Sequence, residues 1–553
     1  MTKELLDYFN NDELSASVWL GKYALKNEKG EIVEKTPDDM HWRMAREFAR
    51  ADYKYAKEAA YHKDFEALSD FGKELMGHLS VMDEAGLAEF YYSYMARFKY
   101  IIPQGSVMSA LGNPYKLQSL SNCFVVPAPL DSYGGIFYTD QQIAQLEKRR
   151  GGVGTNLNNL RPDDTPVLNA AGTSTGAHSF MDRYSNTTRE VAQNGRRGAL
   201  MLLMSCLHPD IFKFVSKKKD RTKVTGANVS SQLTDKFMEA VENNTDFYCR
   251  FPIDYDISRI TEYYWLSIDY NVLKQIQNGV YVMKIRAKEL YDLIVEMAWE
   301  NAEPGVAFMD RVVNYSPEGV YKRYLPIASN PCGEQWMNAF DACRLLATNL
   351  FSFVVNAFKK DAHIDYDKVY EVFYMQQYLA DLVVDLEIEY VNRIIEKIKN
   401  DPEPDEIKAP ELNLWIKVRD TAAASRRTGC GFTALGDMLA ALNLKYDSDE
   451  AIAVTQEVMK TKMRAELDCT IDLAILCGTF EGWDRDLEIG DAHAIGWYGK
   501  NDFYDMLIEE FNEQAQRMYK WGRRNVSWST VAPTGSVSIV AILNKYSNTS
   551  GGL

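Results

Sequence analysis

From Ile101 onward, short apolar runs broken by Gly, Pro and Asn alternate with longer stretches of helical periodicity, and this alternation constrains the fold more than any other feature. The runs Ala199 to Met204 and Val224 to Val229 read as strands. Residues 286–300 place Leu290, Leu293, Ile294, Met297 and Ala298 on one helical face, and residues 365–385 repeat the pattern with Val369, Val372, Phe373, Ala380 and Val383. Strands alternating with helices predict an α/β architecture. Ahead of this point the texture is helical. Thr36-Pro37-Asp38-Asp39 is a helix start, with Thr36 as cap, Pro37 in the first turn and Asp39 closing a capping box. Trp42, Met44, Ala45 and Phe48 follow as an apolar stripe, and Phe90, Tyr91, Tyr92 and Tyr94 read as packing residues. The predicted organisation is a helical domain over residues 1–105 and an α/β domain over residues 106–553. Asp401-Pro402-Glu403-Pro404-Asp405 reads as a surface connection inside the second domain, because the same texture resumes after it.

With 553 residues, 46% of them hydrophobic, the chain can bury a large core. A net charge of −16 argues against a general nucleic-acid surface, so any nucleotide contact is expected in a local pocket. The N-terminus lacks the basic and apolar regions of a signal peptide, and no apolar run is long enough to span a bilayer. A cytoplasmic protein without membrane or nucleic-acid partners is expected. Eight cysteines are too sparse for a disulfide scaffold, and without a CxxC pair no metal site is predicted. Cys206, Cys249, Cys430, Cys469 and Cys477 are expected as buried, reduced thiols.

The other three cysteines have more pointed surroundings. Asn330-Pro331-Cys332-Gly333-Glu334 sets a thiol, a carboxylate and an amide within five residues. Pro331 stiffens the approach and Gly333 permits a tight bend between the reactive side chains. Cys343 follows eleven residues later, and Cys123 opens the apolar run Cys123-Phe124-Val125-Val126. Taken alone, Cys123 is a small core residue and Glu334 a solvated carboxylate. Together, three thiols and a carboxylate make a redox site able to use one thiol singly and two as a pair. Ala532-Pro533-Thr534-Gly535-Ser536-Val537-Ser538 offers hydroxyls and free backbone N–H groups of the kind that bind phosphate. Lys148-Arg149-Arg150-Gly151-Gly152-Val153-Gly154 reads as a glycine-rich basic loop, but Leu157 stands where a dinucleotide fingerprint needs its third glycine. Gln193-Asn194-Gly195-Arg196-Arg197-Gly198-Ala199 reads as a second basic turn.

At Asn330 to Glu334 and at Ser121-Asn122-Cys123 the chain resembles the large subunit of ribonucleotide reductase, and the match runs from about residue 13 to the end. The resemblance implies a helical N-terminal domain followed by a ten-stranded α/β barrel, with Cys123 on the first barrel strand and Cys343 facing it from a neighbour. It implies thiyl-radical reduction of ribonucleoside diphosphates or triphosphates. Cys332 would carry the radical, Glu334 act as general base, Asn330 hold the sugar hydroxyls, and Cys123 and Cys343 end as a disulfide. Ser121, Asn122, Gly333, Pro533, Thr534, Gly535 and Ser536 would bind substrate. Asp131, Ser132, Arg150, Arg196 and Arg197 would bind an ATP or deoxynucleotide effector. Adenosylcobalamin or a metal-containing small subunit would generate the radical, and a thioredoxin- or glutaredoxin-type partner would re-reduce the pair. A homo-oligomer is expected. No ATP-cone domain is expected ahead of the helices. The end at Ser550-Gly551-Gly552-Leu553 suggests a barrel lacking its last strands, to be completed by a C-terminal polypeptide. The alternative is a non-catalytic nucleotide-binding regulator of the same fold.

Overall fold

The computed structural model describes residues 1–193, 196–252, 280–490, 501–543 and 547–548, and the chain end at Ser550 to Leu553 lies outside them. Nine strands position the site: β1 (Ile101–Pro103), β2 (Cys123–Val125), β3 (Gly152–Asn156), β4 (Leu200–Ser205), β5 (Asn228–Leu233), β6 (Gly305–Phe308), β7 (Ala342–Cys343), β8 (Leu345–Asn349) and β9 (Gly429–Thr433). They form a six-stranded sheet in the order β6-β5-β4-β3-β2-β7 and a three-stranded sheet in the order β1-β8-β9. Neighbours from β2 to β6 run parallel, and helices Tyr133–Glu147 and Met181–Glu190 lie in the connections on either side of β3. Parallel strands require such crossovers and become buried on both faces, which is why β4 reads Leu-Met-Leu-Leu-Met-Ser and is buried throughout. Strand β7 pairs antiparallel with β2. Only Arg344 separates β7 from β8, so the chain steps from one sheet to the other at that residue.

Two expectations shift. The glycines Gly152 and Gly154, expected in a loop, lie in β3, and all five residues of that strand are buried. The strand expected from Val224 begins at Asn228, because Val224 sits in a turn with φ of +48°.

The pleat sorts side chains between two cores. Phe124, Val153, Leu200, Leu202 and Met204 pack with the covering helices. Val125, Met201 and Leu203 join Ala328, Met337, Cys343, Leu345 and Ala532 in a smaller inner cluster. Alternate residues of a strand point to opposite faces, so one face of the sheet meets helices and the other encloses the segment around Ala328 and Met337.

The capping box forms as expected: helix Pro37–Ala59 starts at Thr36 with Asp39 reaching back. Met44, Ala45 and Phe48 are buried, and Trp42 stacks on Tyr92 at 4.2 Å between ring centres. These helices share one core with the long helices Tyr366–Lys399 and Asp449–Cys477. Arg427 is fully buried and ties distant parts together, with Nε 2.8 Å from Asp341 and Nη1 2.5 Å from Glu318. Among the described residues no helix is long and apolar enough to cross a membrane.

Asp52 is buried between the hydroxyls of Tyr91 and Tyr378, which both donate to it. Burial pushes its carboxyl up to about 6. The folded state therefore binds this proton more tightly than the unfolded chain does. The stability from protonated Asp52 is present below pH of about 4 and lost as pH rises through about 6. Asp52→Asn should remove that dependence. The difference in unfolding free energy should shift by about 2–3 kcal/mol in favour of the wild type as pH falls from about 7 to about 4. Urea titrations of both proteins across that range check it, and a difference that does not move with pH would refute the assignment.

Candidate active site

Asn330 to Glu334 form the tip of a hairpin whose strands are Ala328–Ser329 and Trp336–Met337. Gly333 holds φ of +80° and its N–H donates to Asn330 O at 3.0 Å, closing the turn the sequence predicts. The hairpin lies against β3 at a distance only glycine permits. An added Cβ at Gly154 would overlap Ser329 O, and one at Gly152 would stand 2.8 Å from Pro331 Cγ. Side chains from several elements then fix the tip. Asn228 Nδ2 donates to Pro331 O at 2.9 Å, Thr530 Oγ1 to Glu334 O at 2.9 Å, and Gln335 Nε2 to Thr428 O at 3.1 Å.

The tip projects into a cleft of about 600 Å³ that brings together Asn122, Cys123, Cys332, Glu334, Pro533, Thr534, Gly535 and Ser536. Cys332 is exposed, whereas Cys123 and Cys343 are buried and stand directly opposite each other on β2 and β7. Gly429 leaves room for the second sulfur, since a Cβ there would stand 2.8 Å from Cys343 Sγ. Burial, then the nearby Glu334 and Cys123, pushes the Cys343 thiol far above the ordinary thiol range. Burial also pushes the Glu334 carboxyl up, with its own backbone N–H and the nearby Asn330 amide offsetting part of the rise. Glu334 Oε2 and Asn330 Nδ2 are buried without a hydrogen-bond partner. Orphaned polar atoms at the wall of a cleft are what a hydroxyl-bearing ligand would satisfy.

Other expected residues take different places. Asn122 lines the cleft, with Oδ1 accepting from Ser106 N at 2.8 Å. Ser121 does not line it: its hydroxyl donates to Glu387 Oε1 at 2.9 Å. Gly333 lines a second cleft, which also touches Cys332. Arg150 was expected with the effector residues but lies on the wall of the Cys123–Cys332 cleft, aimed from a turn with φ of +79°. Asp131 and Ser132 line neither cleft. Asp131 is held by Arg161, with Nε at 2.6 Å, and Ser132 caps helix Tyr133–Glu147. Arg196 and Arg197 form a short backbone pair with Ala192 and Gln193. Their side chains, and residues Asn194 and Gly195 of that turn, lie outside what the structure describes. Of the five cysteines expected to be buried, Cys206, Cys249, Cys430 and Cys469 are, and Cys477 is half-buried.

Sequence reasoning missed three contributors. Glu387, from the long helix, is fully buried and accepts from Ser119, Leu120 and Ser121, fixing the entry to β2. Tyr23 shares a hydrogen bond of 2.6 Å with Ser536 and brings the first helices to the cleft. Gly152 and Gly154 seat the hairpin, and their alternate spacing within a strand was the available signal.

Two family models match: "Ribonucleotide reductase, all-alpha domain" over residues 9–115 and "Ribonucleotide reductase, barrel domain" over residues 121–549. The vitamin B12-dependent ribonucleoside-diphosphate reductase of Thermoplasma acidophilum is 28% identical, over 94% of this chain and 61% of its own length. That of Mycobacterium tuberculosis CDC 1551 is 28% identical over 76% and 49%. The ribonucleoside-diphosphate reductase large subunit of Trypanosoma brucei brucei is 25% identical over 81% and 51%. The chain thus spans about half to three-fifths of the length of these relatives.

The seating of the hairpin is testable by one methyl group. Gly154→Ala should displace Ser329 and with it the Cys332 tip, lowering stability by about 1–3 kcal/mol, the usual cost of overpacking. Denaturant unfolding reads the stability, and the alkylation rate of Cys332 reads the tip. An unchanged rate together with unchanged stability would show that the close approach is not needed.

Proposed function

The chain belongs to the ribonucleotide reductase family, and on that premise we propose that it carries the centre converting a ribonucleotide to its 2′-deoxyribonucleotide. The observation that carries this reading is the single cleft joining Cys332, Glu334 and Cys123 to Pro533–Ser536, with Cys343 opposite Cys123. A thiyl radical on Cys332 takes the 3′-hydrogen atom of the ribose, leaving the unpaired electron on carbon. Glu334 accepts the 3′-hydroxyl proton as general base. Asn330 holds the sugar hydroxyls. Cys123 and Cys343 supply two hydrogens, as two protons and two electrons, so the 2′-oxygen leaves as water and the pair becomes a disulfide. Cys332 then returns its hydrogen atom to C3′ and is again the radical. Asn122 and the Pro533–Ser536 loop are assigned to substrate together with Arg150, and Gly333, which lines the second cleft, to the turn that carries Cys332.

The radical needs a source beyond these residues. Cys332 also borders a second cleft, of about 610 Å³, whose wall includes Met201, Val306, Phe308 and Trp336. A wall of this kind fits a large organic cofactor. Adenosylcobalamin held there would supply the hydrogen-atom acceptor for the thiol, in keeping with the vitamin B12-dependent relatives. A metal-containing small subunit is the other source. We assign effector binding to Asp131 and Ser132 with Arg196 and Arg197, re-reduction to a thioredoxin- or glutaredoxin-type protein, and the working state to a cytoplasmic homo-oligomer. One observation favours a complementary polypeptide as a further partner. Among the described residues β6 pairs with β5 alone, and Val306 and Phe308 on it are 45% and 41% exposed. Such an edge accepts another strand.

Incubation with labelled ribonucleotide and dithiothreitol, with and without adenosylcobalamin, tests the reading; nucleotide binding with no deoxyribonucleotide from any radical source would favour the regulator instead. Cys332→Ser should abolish reduction and leave effector binding intact, because a hydroxyl holds hydrogen far more strongly than a thiol. Glu334→Gln should lower the rate by about 10²–10⁴-fold, the usual contribution of a positioned base. Since burial raises the carboxyl and the base must be ionised, the wild-type rate should fall with decreasing pH at an inflection above the ordinary carboxylate value. A single turnover without reductant should leave Cys123 and Cys343 linked, and peptide mapping that finds both free after product has formed would break the pairing.

A further inference from the structure

The step from β7 to β8 buries a cation. Arg344 follows Cys343 directly and is fully buried. Its Nη1 donates to Ala342 O at 3.2 Å and to Arg427 O at 2.8 Å. Nε and Nη2 are buried without a hydrogen-bond partner, and among the described residues no carboxylate pairs with this guanidinium. Glu387 and Asp341, whose fields reach it, are committed elsewhere. Glu387 accepts from Ser119, Leu120 and Ser121 at the entry to β2, and Asp341 pairs with Arg427. A buried cation left in this state is costly, so it calls for a charge that develops during function. The Cys343 sulfur is where its field acts. Arg427 acts there too, but Asp341 and Glu318 already offset its charge. The two sulfurs of the pair also differ in access. Cys123 lines the substrate cleft, whereas Cys343 is fully buried and does not. A reductant entering the cleft therefore meets Cys123 first.

We propose that Arg344 is a positioning residue for renewal of the pair, holding a thiolate on Cys343 while an external dithiol attacks Cys123. The proposal rests on the pairing of Cys123 with Cys343 assigned above, and adds the order of attack and the cation that directs it. A reductant thiolate bonds to Cys123 Sγ, the Cys123–Cys343 bond breaks, and its electron pair leaves on Cys343. Cys343 then takes up a proton. The second reductant thiol, losing its own proton, attacks the mixed disulfide. Cys123 is released and protonated, and the dithiol ends as a disulfide, so two electrons and two protons have passed to the pair. Exchange is faster when the leaving thiol is more readily ionised. At rest, burial keeps Cys343 protonated, so the cation acts only while the negative charge is present.

The test uses the full chain, with the disulfide formed by diamide and located by mass mapping. Arg344→Gln keeps a donor for the two carbonyls and removes the charge. Dithiothreitol should reduce its disulfide about tenfold more slowly than that of the wild type. Re-oxidation by oxidised dithiothreitol should slow by the same factor. The equilibrium should then stay within about twofold, because neither the disulfide nor the protonated pair is charged. A displaced sulfur, the effect of a merely structural role, would shift the equilibrium instead. Arg344→Met, which replaces the buried charge by apolar atoms, should show the same slowing, with the thermal midpoint as the folding control. In the wild type, 2-mercaptoethanol followed by an acid quench should leave the mixed disulfide on Cys123. Unchanged exchange rates in both variants, an equilibrium that moves with the rate, or a mixed disulfide on Cys343 overturns the role of Arg344 and leaves the cysteine pair standing. If diamide does not link Cys123 to Cys343 in the wild type, the pairing itself is wrong and the inference falls with it.

Discussion

The site depends on one close approach, the hairpin backbone at Ser329 laid against the backbone of Gly154. Nothing larger than hydrogen fits there, so the distance between loop and sheet is set by the strand and not by adjustable side chains. Because the contact lies at the base of the hairpin, small changes there are carried to Cys332 at the tip. The other side of the hairpin is bound to residues from the second sheet's end of the chain, through Thr428 and Thr530. The buried pairs of Arg427 with Asp341 and Glu318 connect the same regions. Breaking such a pair leaves an uncompensated buried charge, so these groups hold position more than they add net stability. The thiol is thus fixed by backbone contact on one side and by hydrogen bonds and buried charge on the other.

What the sequence made legible follows from local physics. The capping box at Thr36 and the bend at Gly333 are decided within a few residues, and both form. The opposition of Cys123 and Cys343 came from family resemblance, since no local rule links residues 220 positions apart, and the strand register bears it out. Ser121 and Arg150 ended elsewhere for the same reason that Glu387 and Tyr23 went unseen. Glu387 reaches Ser121 across 266 residues and Tyr23 reaches Ser536 across 513, so only the packed fold reveals which partner each hydroxyl finds. The glycines of β3 were visible but misread. Their basic preface, Lys148-Arg149-Arg150, suggested a loop, while the alternation Gly152-Val153-Gly154 already had the period of a strand with both glycines on one face.

Charge shows a similar divide between global and local. The net value argues against a broad anionic partner, yet it says nothing about the distribution that matters near the cleft. The Pro533–Ser536 loop, the pair Lys22 and Tyr23, and Arg150 lie far apart in sequence and line one cleft. Folding brings the separated cations Lys22 and Arg150 to the wall of the cleft that also holds Cys123 and Cys332.

The surroundings of the buried thiol bear on what kind of cysteine chemistry the site can perform. A nucleophilic cysteine is ordinarily activated by a nearby cation or a helix N-terminus that lowers its pKa and favours the thiolate. Cys343 has the opposite setting: it is buried, with Glu334 and Cys123 both raising its pKa and only Arg344 and Arg427 working against them. It therefore keeps its proton at neutral pH. A thiolate can attack, but only a protonated thiol can hand over hydrogen, and a reduction that removes oxygen as water consumes hydrogen from two thiols. The same burial raises Glu334, which makes it a stronger base toward a sugar hydroxyl once it is ionised. On the proposed mechanism one desolvated wall would serve two needs, keeping a thiol protonated as a hydrogen donor and strengthening the carboxylate as a base, since burial outweighs the opposing pull of Arg344 and Arg427.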